Sequence, residues 1–282
     1  MKRIFLCAAI VLCSVSTAWA GLVNPTIQGD KLTAGIELAG GIEAELTIRF
    51  ESVVGLSLDN LGLSVKAVNP LNPNLLARLP SGSLLSTPLL SVPVAFPVLI
   101  HVEPPSQGGL AFEGVVEIEL YTQNLQYTVG SPLRLFTAAD SSSAFHDITD
   151  TISGGSYRTR SGGGHFSQFI ILADTRAVSD VIISKFDRLD DLLTVYANEI
   201  DLALHGQLSD LASQAYLAFA GGNPGLAITH LDQFRQHAAA GAAAGQLPNV
   251  WRSARDLNNV DGELRAAART LRFSLTLASN LL

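Results

Sequence analysis

The chain has 282 residues, a formal net charge of −7, and is 48 % hydrophobic but only 15 % charged. That is enough chain to bury its own core in one or two domains. Residues 21–174 hold seven Lys and Arg against fourteen Asp and Glu, and the remainder from Ala177 onward is also net acidic, so the electrostatic footprint of a nucleic-acid binder is excluded.

Lys2 and Arg3, the apolar run Ile4 to Val15 and the small residues of Ala18-Trp19-Ala20 form the pattern of a secretory signal, cut after Ala20. A bilayer span needs about 20 apolar residues, more than this run supplies, and Leu12 before Cys13 does not suit a lipoprotein. Both cysteines, Cys7 and Cys13, fall in this segment, so the mature chain is expected to carry neither a disulfide nor a thiolate metal site. The expectation is an exported protein, periplasmic or extracellular, with no transmembrane segment after the leader.

The front of the mature chain reads as strands. Ile42, Ala44, Leu46, Ile48 and Phe50 alternate with Glu43, Glu45, Thr47, Arg49 and Glu51, after a Gly40-Gly41 turn. Period two gives one dry and one wet face. The same pattern recurs at Leu61 to Ala67, Val98 to Val102 and Val116 to Tyr121, with shorter runs at Leu133 to Phe136, Ser156 to Arg160 and Phe166 to Leu172. Between them, residues 69–97 carry six prolines, which bar a helix and most central-strand positions. This excursion is expected to pack on the sheet through its leucines, with a lid over a site as the alternative.

Near Ala173 the rhythm changes. Ile182, Phe186, Leu189, Leu193, Tyr196 and Ile200 form one helical stripe, with Gly206 as the expected stop. A second helix is expected over Ser209 to Ala220. Asn223 caps a third with Pro224 at its first position, Gly241 to Gly245 reads as a loose link, and Val260 to Ala278 forms the last. The predicted fold class is α+β: an antiparallel β-sandwich over 21–175, then an antiparallel helical bundle over 176–282.

Phe145-His146-Asp147-Ile148-Thr149, Gly155 to Arg158, His165 to Phe169 and Pro248 to Arg252 resemble segments of an uncharacterised family of exported proteobacterial proteins, a domain of unknown function. The helical part is similar to the FIMAH module through Gly206, the alanine-rich second helix, Ala227-Ile228 with Leu231 and Phe234, and the Ala/Leu final helix. The resemblance implies an accessory or binding role and supplies no catalytic residues. Pro248 to Asp256 is an insertion relative to that module.

Several residues are candidates for chemistry. His146, Asp147 and His165 suit a ligand set or an acid/base pair, or a strand-tying hydrogen-bond network. Asp140, Asp147 and Asp150 lack the spacing of a calcium loop. Ser161 to Gly164 lacks the Lys-Ser/Thr of a nucleotide loop and reads as a hairpin turn. Arg158 and Arg160 share a strand face; Arg265, Arg269 and Arg272 share a helix face. Either set can grip acidic sugars or phosphates, or pair with surface carboxylates. His230 and His237 read as surface histidines. Trp251 reads as a plug for the helices or a sugar-stacking ring. No metal site, cofactor or catalytic motif is expected. The binding candidates are therefore Asp147, Arg158, Arg160, His165, Trp251, Arg265, Arg269 and Arg272, and the expected function is non-catalytic binding of a polysaccharide or cell-envelope component. The alternatives are a secreted hydrolase with a Pro-rich lid and a self-associating structural module.

Overall fold

The computed structural model describes residues 21–80, 89–128 and 130–279. The expected signal at 1–20 and positions 81–88 of the proline-rich excursion lie outside the described residues.

β1 (Leu22–Gln28), β2 (Lys31–Leu38) and β3 (Ile42–Val54) form consecutive antiparallel hairpins. Gly40 and Gly41 turn the second at φ of 87° and 74°, where a side chain would be strained. A one-turn helix, α1 (Leu58–Leu61), takes the start of the strand expected from Leu61, and β4 (Leu63–Ala67) follows. The excursion contains α2 (Pro73–Leu76), capped by Asn72. The prolines do bar a helix interior, but Pro73 occupies the first turn, where its missing N–H costs nothing. Then come β5 (Leu90–Ser91), β6 (Val98–Val102), β7 (Ala111–Tyr127), β8 (Leu133–Ala138), β9 (His146–Asp147), β10 (Thr151–Ser153), β11 (Gly155–Gly163) and β12 (Gln168–Asp174).

These strands make two antiparallel sheets. The first runs β1-β2-β3-β7-β11-β10; the second runs β4-β6-β12-β8-β9, with β5 also on β12. Leu46, Ile48, Ile118 and Leu120 of the first share one core with Val65, Ile100, Leu135 and Ile171 of the second. The second sheet is covered on its other face too. Phe136, Ile170 and Leu172 meet Leu75, Leu90 and Val92 of the excursion, as its leucines predicted. Burial on both faces explains why β12 is an apolar run rather than an alternation.

The C-terminal part is helical: α3 (Val178–Val195), α4 (Leu202–Ala220), α5 (Pro224–Ala243) and α6 (Val260–Ser279). Three expectations need correction. α3 stops at Val195, and Gly206 lies inside α4, whose start is set by the Asp201 carboxylate accepting from the Ala203 and Leu204 amides. Gly241 is helical, not a loose link: α5 needs it bare, because a Cβ there would lie 2.3 Å from Leu204 Cδ2. Ser161-Gly162-Gly163 continues β11, so the chain up to His165 is no hairpin turn; it crosses from the first sheet to the second.

Strand also returns among the helices, between α5 and α6. β13 (Val250–Arg252) adds to β7. Trp251 therefore plugs the core between the sheets and not the helices. It stacks on Phe112 at 5.4 Å and meets Phe166 edge-on at 5.3 Å.

The first turn of α6 lies directly on the sheets, and glycine allows it. A Cβ on Gly262 would sit 2.6 Å from Gly114 O and 2.7 Å from Gly164 Cα; one on Gly164 would sit 2.5 Å from Asn259 O. Gly262→Ala should therefore cost about 1–3 kcal/mol by overpacking. Gly206→Ala, in a helix with open space around it, should be neutral or stabilise by about 0.5–1 kcal/mol. Urea unfolding of both variants reads the contrast, and equal stabilities would contradict the close approach.

Candidate functional site

α6 presents three faces. Val260, Leu264, Ala268, Leu271 and Leu275 pack in the core between helices. Arg265 and Arg269 reach sheet carboxylates: Arg265 pairs with Glu51 at 2.7 Å, and Arg269 with Glu117 at 2.9 Å and Asp150 at 2.7 Å. Glu263, Ala266, Ala267 and Thr270, at helical spacing, line a cavity.

Glu263 sits in the first turn of α6, where the helix dipole favours a carboxylate. Its Oε1 accepts the Gly164 amide at 2.8 Å and meets His165 Nδ1 at 2.5 Å. Burial alone would raise this carboxyl, but His165 and the Gly164 amide bring it down to about 2. In turn the Glu263 charge raises the His165 imidazole above its ordinary value, against burial. The contact is thus an ion pair, with Nε2 the ring nitrogen left over. Among the described residues no hydroxyl hydrogen-bonds that nitrogen.

A second pair lies deeper. Asp147 on β9 meets Lys185 Nζ on α3 at 2.8 Å, with both side chains almost wholly buried. Lys185 also donates to Thr270 Oγ1 at 2.5 Å, and Thr270 Oγ1 donates to Thr149 O at 2.9 Å. The Thr149 amide donates to Asp147 Oδ1 at 2.8 Å. Burial opposes both charges. Lys185 and Thr149 nevertheless hold the Asp147 carboxyl below the usual range, while burial draws the Lys185 ammonium down. This network ties β9, α3 and α6 together.

Two spaces flank the His165–Glu263 pair, which lines both. The inner cavity, about 260 Å³, opens between the two sheets, α3 and α6. Val116, Ile118, Phe169 and Leu192 give it apolar walls, and His146, Arg188 and the Asp147–Lys185 pair supply its polar groups. Burial, and secondarily the Arg188 charge, pull the His146 imidazole down to about 3, so it is neutral. The outer cleft, about 500 Å³, is lined by His101, Glu103, Tyr196, Trp251, Arg255 and Asn258 among others.

The structure brings Asp147, His146 and His165 to one cavity, and places Trp251 in the outer cleft wall. The arginine candidates are occupied. Arg158 and Arg160 both pair with Glu119, and Arg272 pairs with Asp232 of α5. Arg265 and Arg269 pair with carboxylates, as one of the two readings of that face expected, but partly buried between α6 and the first sheet instead of on the open surface. Asp140, Asp147 and Asp150 have separate partners in Ser142 and Ser143, Lys185, and Arg269. Among the described residues no group of three or more His, Cys, Asp or Glu is arranged to hold a metal ion. His230 and His237 lie on α5, away from both spaces. Sequence reasoning missed Lys185, Arg188 and Glu263. The available signal was Lys185, Arg188 and Leu192 at spacings 3 and 4, a second stripe beside the apolar one on α3.

The class defined so far is a mixed α/β protein with two antiparallel sheets, C-terminal helices and a paired-charge cavity at their junction. The chain belongs to a family of unknown function, DUF6689, whose model matches residues 6–279. A search of curated proteins finds no match to it. No helix among the described residues is long and apolar enough to cross a membrane.

The ion pair should show in pH dependence. The folded His165 value is raised above 6.5, so its stabilisation is fully present below pH 6.5 and fades as the pH climbs through the raised value. Glu263 is lowered, so its contribution is present above pH 4.5 and is lost as the pH falls towards 2. Glu263→Gln leaves burial as the main influence on His165, and its NMR titration should move to 6.5 or below; an unmoved midpoint would refute the pairing. Lys185→Met strands a buried carboxylate and should cost about 3–5 kcal/mol, whereas adding Asp147→Leu should recover much of the loss. Guanidinium denaturation of the cycle measures both.

Proposed function

We propose that this is an exported, non-catalytic binding protein whose partner is a polysaccharide or similar hydroxyl-rich envelope component, held in the outer cleft. The supporting observation is the composition of that cleft. Its ring of His101, Glu103, Tyr196, Arg255 and Asn258 offers donors and acceptors together. The charges are shared internally: Glu103 lies 3.6 Å from His101 and 3.8 Å from Arg255. Such a rim suits neutral hydroxyls better than a strongly charged ligand. Arg255 holds φ at 57°, a conformation costly for a non-glycine residue and concentrated at functional positions.

The segment carrying Trp251 and Arg255 is the insertion that sets this chain apart from the FIMAH pattern, and it builds one wall of the cleft. We read the two sheets as a β-sandwich domain over 21–175, and α3 to α6 as a FIMAH-like bundle over 176–282. The family is read as proteobacterial and the export signal as cleaved after Ala20, leaving the protein in the periplasm or medium. A hydrolase reading draws on one observation, the His165–Glu263 pair, which has the form of a base and its orienting carboxylate; with no hydroxyl beside Nε2, binding is the better-supported reading.

A glycan array and isothermal titration with purified envelope polysaccharide test this. Tyr196→Phe and Arg255→Ala should weaken binding about tenfold or more, as loss of one or two hydrogen bonds at a desolvated site would, with melting little changed because the Phe keeps the ring packed on the helices. A blank array together with no retention on isolated cell envelopes would overturn it.

A further inference from the structure

The inner cavity contains a charge that nothing else in it uses. Glu263 is taken by His165 and the Gly164 amide, and Asp147 by Lys185 and the Thr149 amide. Arg176, which also lines the space, is paired with Asp174 at 2.6 Å. The Arg188 guanidinium, half-buried on α3, has no carboxylate or carbonyl partner among the described residues, although it lies close enough to perturb His146, His165 and Glu263. Two carboxylates against His165, Lys185 and Arg188 leave the cavity one positive charge in excess. His146 is the second unused group: neither ring nitrogen has a partner among the described residues, and the ring lines the same space.

The half-buried Arg188 guanidinium lines a largely apolar hollow with its hydrogen-bond donors left for a ligand to take. We propose that the inner cavity is a binding site for a small amphipathic monocarboxylate, its head held by Arg188 and His146 and its apolar body lying against Val116, Ile118, Phe169 and Leu192. The guanidinium fork matches a carboxylate in two parallel hydrogen bonds. One surplus positive charge matches one negative charge; a phosphate dianion would leave its second charge buried and unmatched. The volume, about 260 Å³, lies just below the usual range of about 300–1,000 Å³ for small-molecule pockets, so the ligand is a short acyl or aryl acid. His146 stays neutral, pulled down to about 3 by burial, so it can donate one hydrogen bond to the head without adding charge. The site is separate from the outer cleft and does not depend on the polysaccharide reading.

The test is isothermal titration of the full chain with octanoate and 4-phenylbutyrate, and with the corresponding amides. The acids should bind and the amides should not. Arg188→Leu should weaken acid binding about ten- to hundredfold, the range of one charge-assisted contact. Without ligand, that variant should melt at or above the parent, because it removes a half-buried unpaired charge. Arg188→Lys keeps the charge but not the fork and should bind at an intermediate level. It also serves as the folded variant if Arg188→Leu does not fold. Binding of acid and amide alike, binding that Arg188→Leu and Arg188→Lys leave unchanged, or no uptake of either acid at millimolar concentration would overturn the assignment.

Discussion

The contact that organises this protein is the seating of the first turn of α6 on the crossover between the two sheets. Gly164 and Gly262 let backbone meet backbone there, Gly262 against Gly114 and Gly164 against Asn259, at separations no Cβ could share. Asn259 Oδ1 caps the turn through the Gly262 amide at 2.9 Å, and Glu263 catches the Gly164 amide. Two weakly structured pieces, a helix start and a strand-to-strand link, thereby become one rigid wall. Both the inner cavity and the outer cleft are bounded by it, since His165 and Glu263 face each.

Charge is used inside this framework to align elements more than to stabilise them. Arg265 and Arg269 fix the rotation of α6 over the first sheet, and Lys185 fixes α3 against β9. Buried pairs of this kind gain little over well-packed apolar residues, but breaking one partner is expensive. They therefore penalise misalignment of the helices on the sheets. All five arginines that looked available in the sequence have carboxylate partners, two of them across the helix–sheet seam, and that sets the uncommitted Arg188 apart.

The period of the hydrophobic pattern carried much of the architecture. Ile42 to Phe50 was legible because only one face of β3 is dry, and α5 because Asn223 and Pro224 mark its start so locally. β13 was not legible: three residues, Val250–Arg252, have no period of their own, and they become a strand only because β7 offers a free stretch at Ala111 to Glu113. α3 ended early for a similar reason. Tyr196 and Ile200 keep the apolar spacing, but the Asp201 cap starts a new helix and the backbone turns before it. At the site, His146, Asp147 and His165 stood out as polar residues in an apolar strand context. Their partners Lys185 and Glu263 come from residues 38 and 98 positions away by the numbering of these pairs, and no local pattern joins such distant positions.

A wall shared by two binding spaces has a thermodynamic consequence. The His165–Glu263 pair separates an apolar hollow with one surplus cation from a polar cleft that carries both signs of charge. An anion placed beside Arg188 enters the field that already depresses His146 and perturbs His165. By electrostatics alone it favours the protonated imidazole, which faces the outer cleft as well. If an outer occupant also distinguishes the two protonation states of that imidazole, each occupant changes the other's affinity by the same factor, because linkage between two sites is reciprocal. The insertion that builds the outer wall and the glycines that seat α6 thus place the two spaces on opposite sides of a single titratable contact.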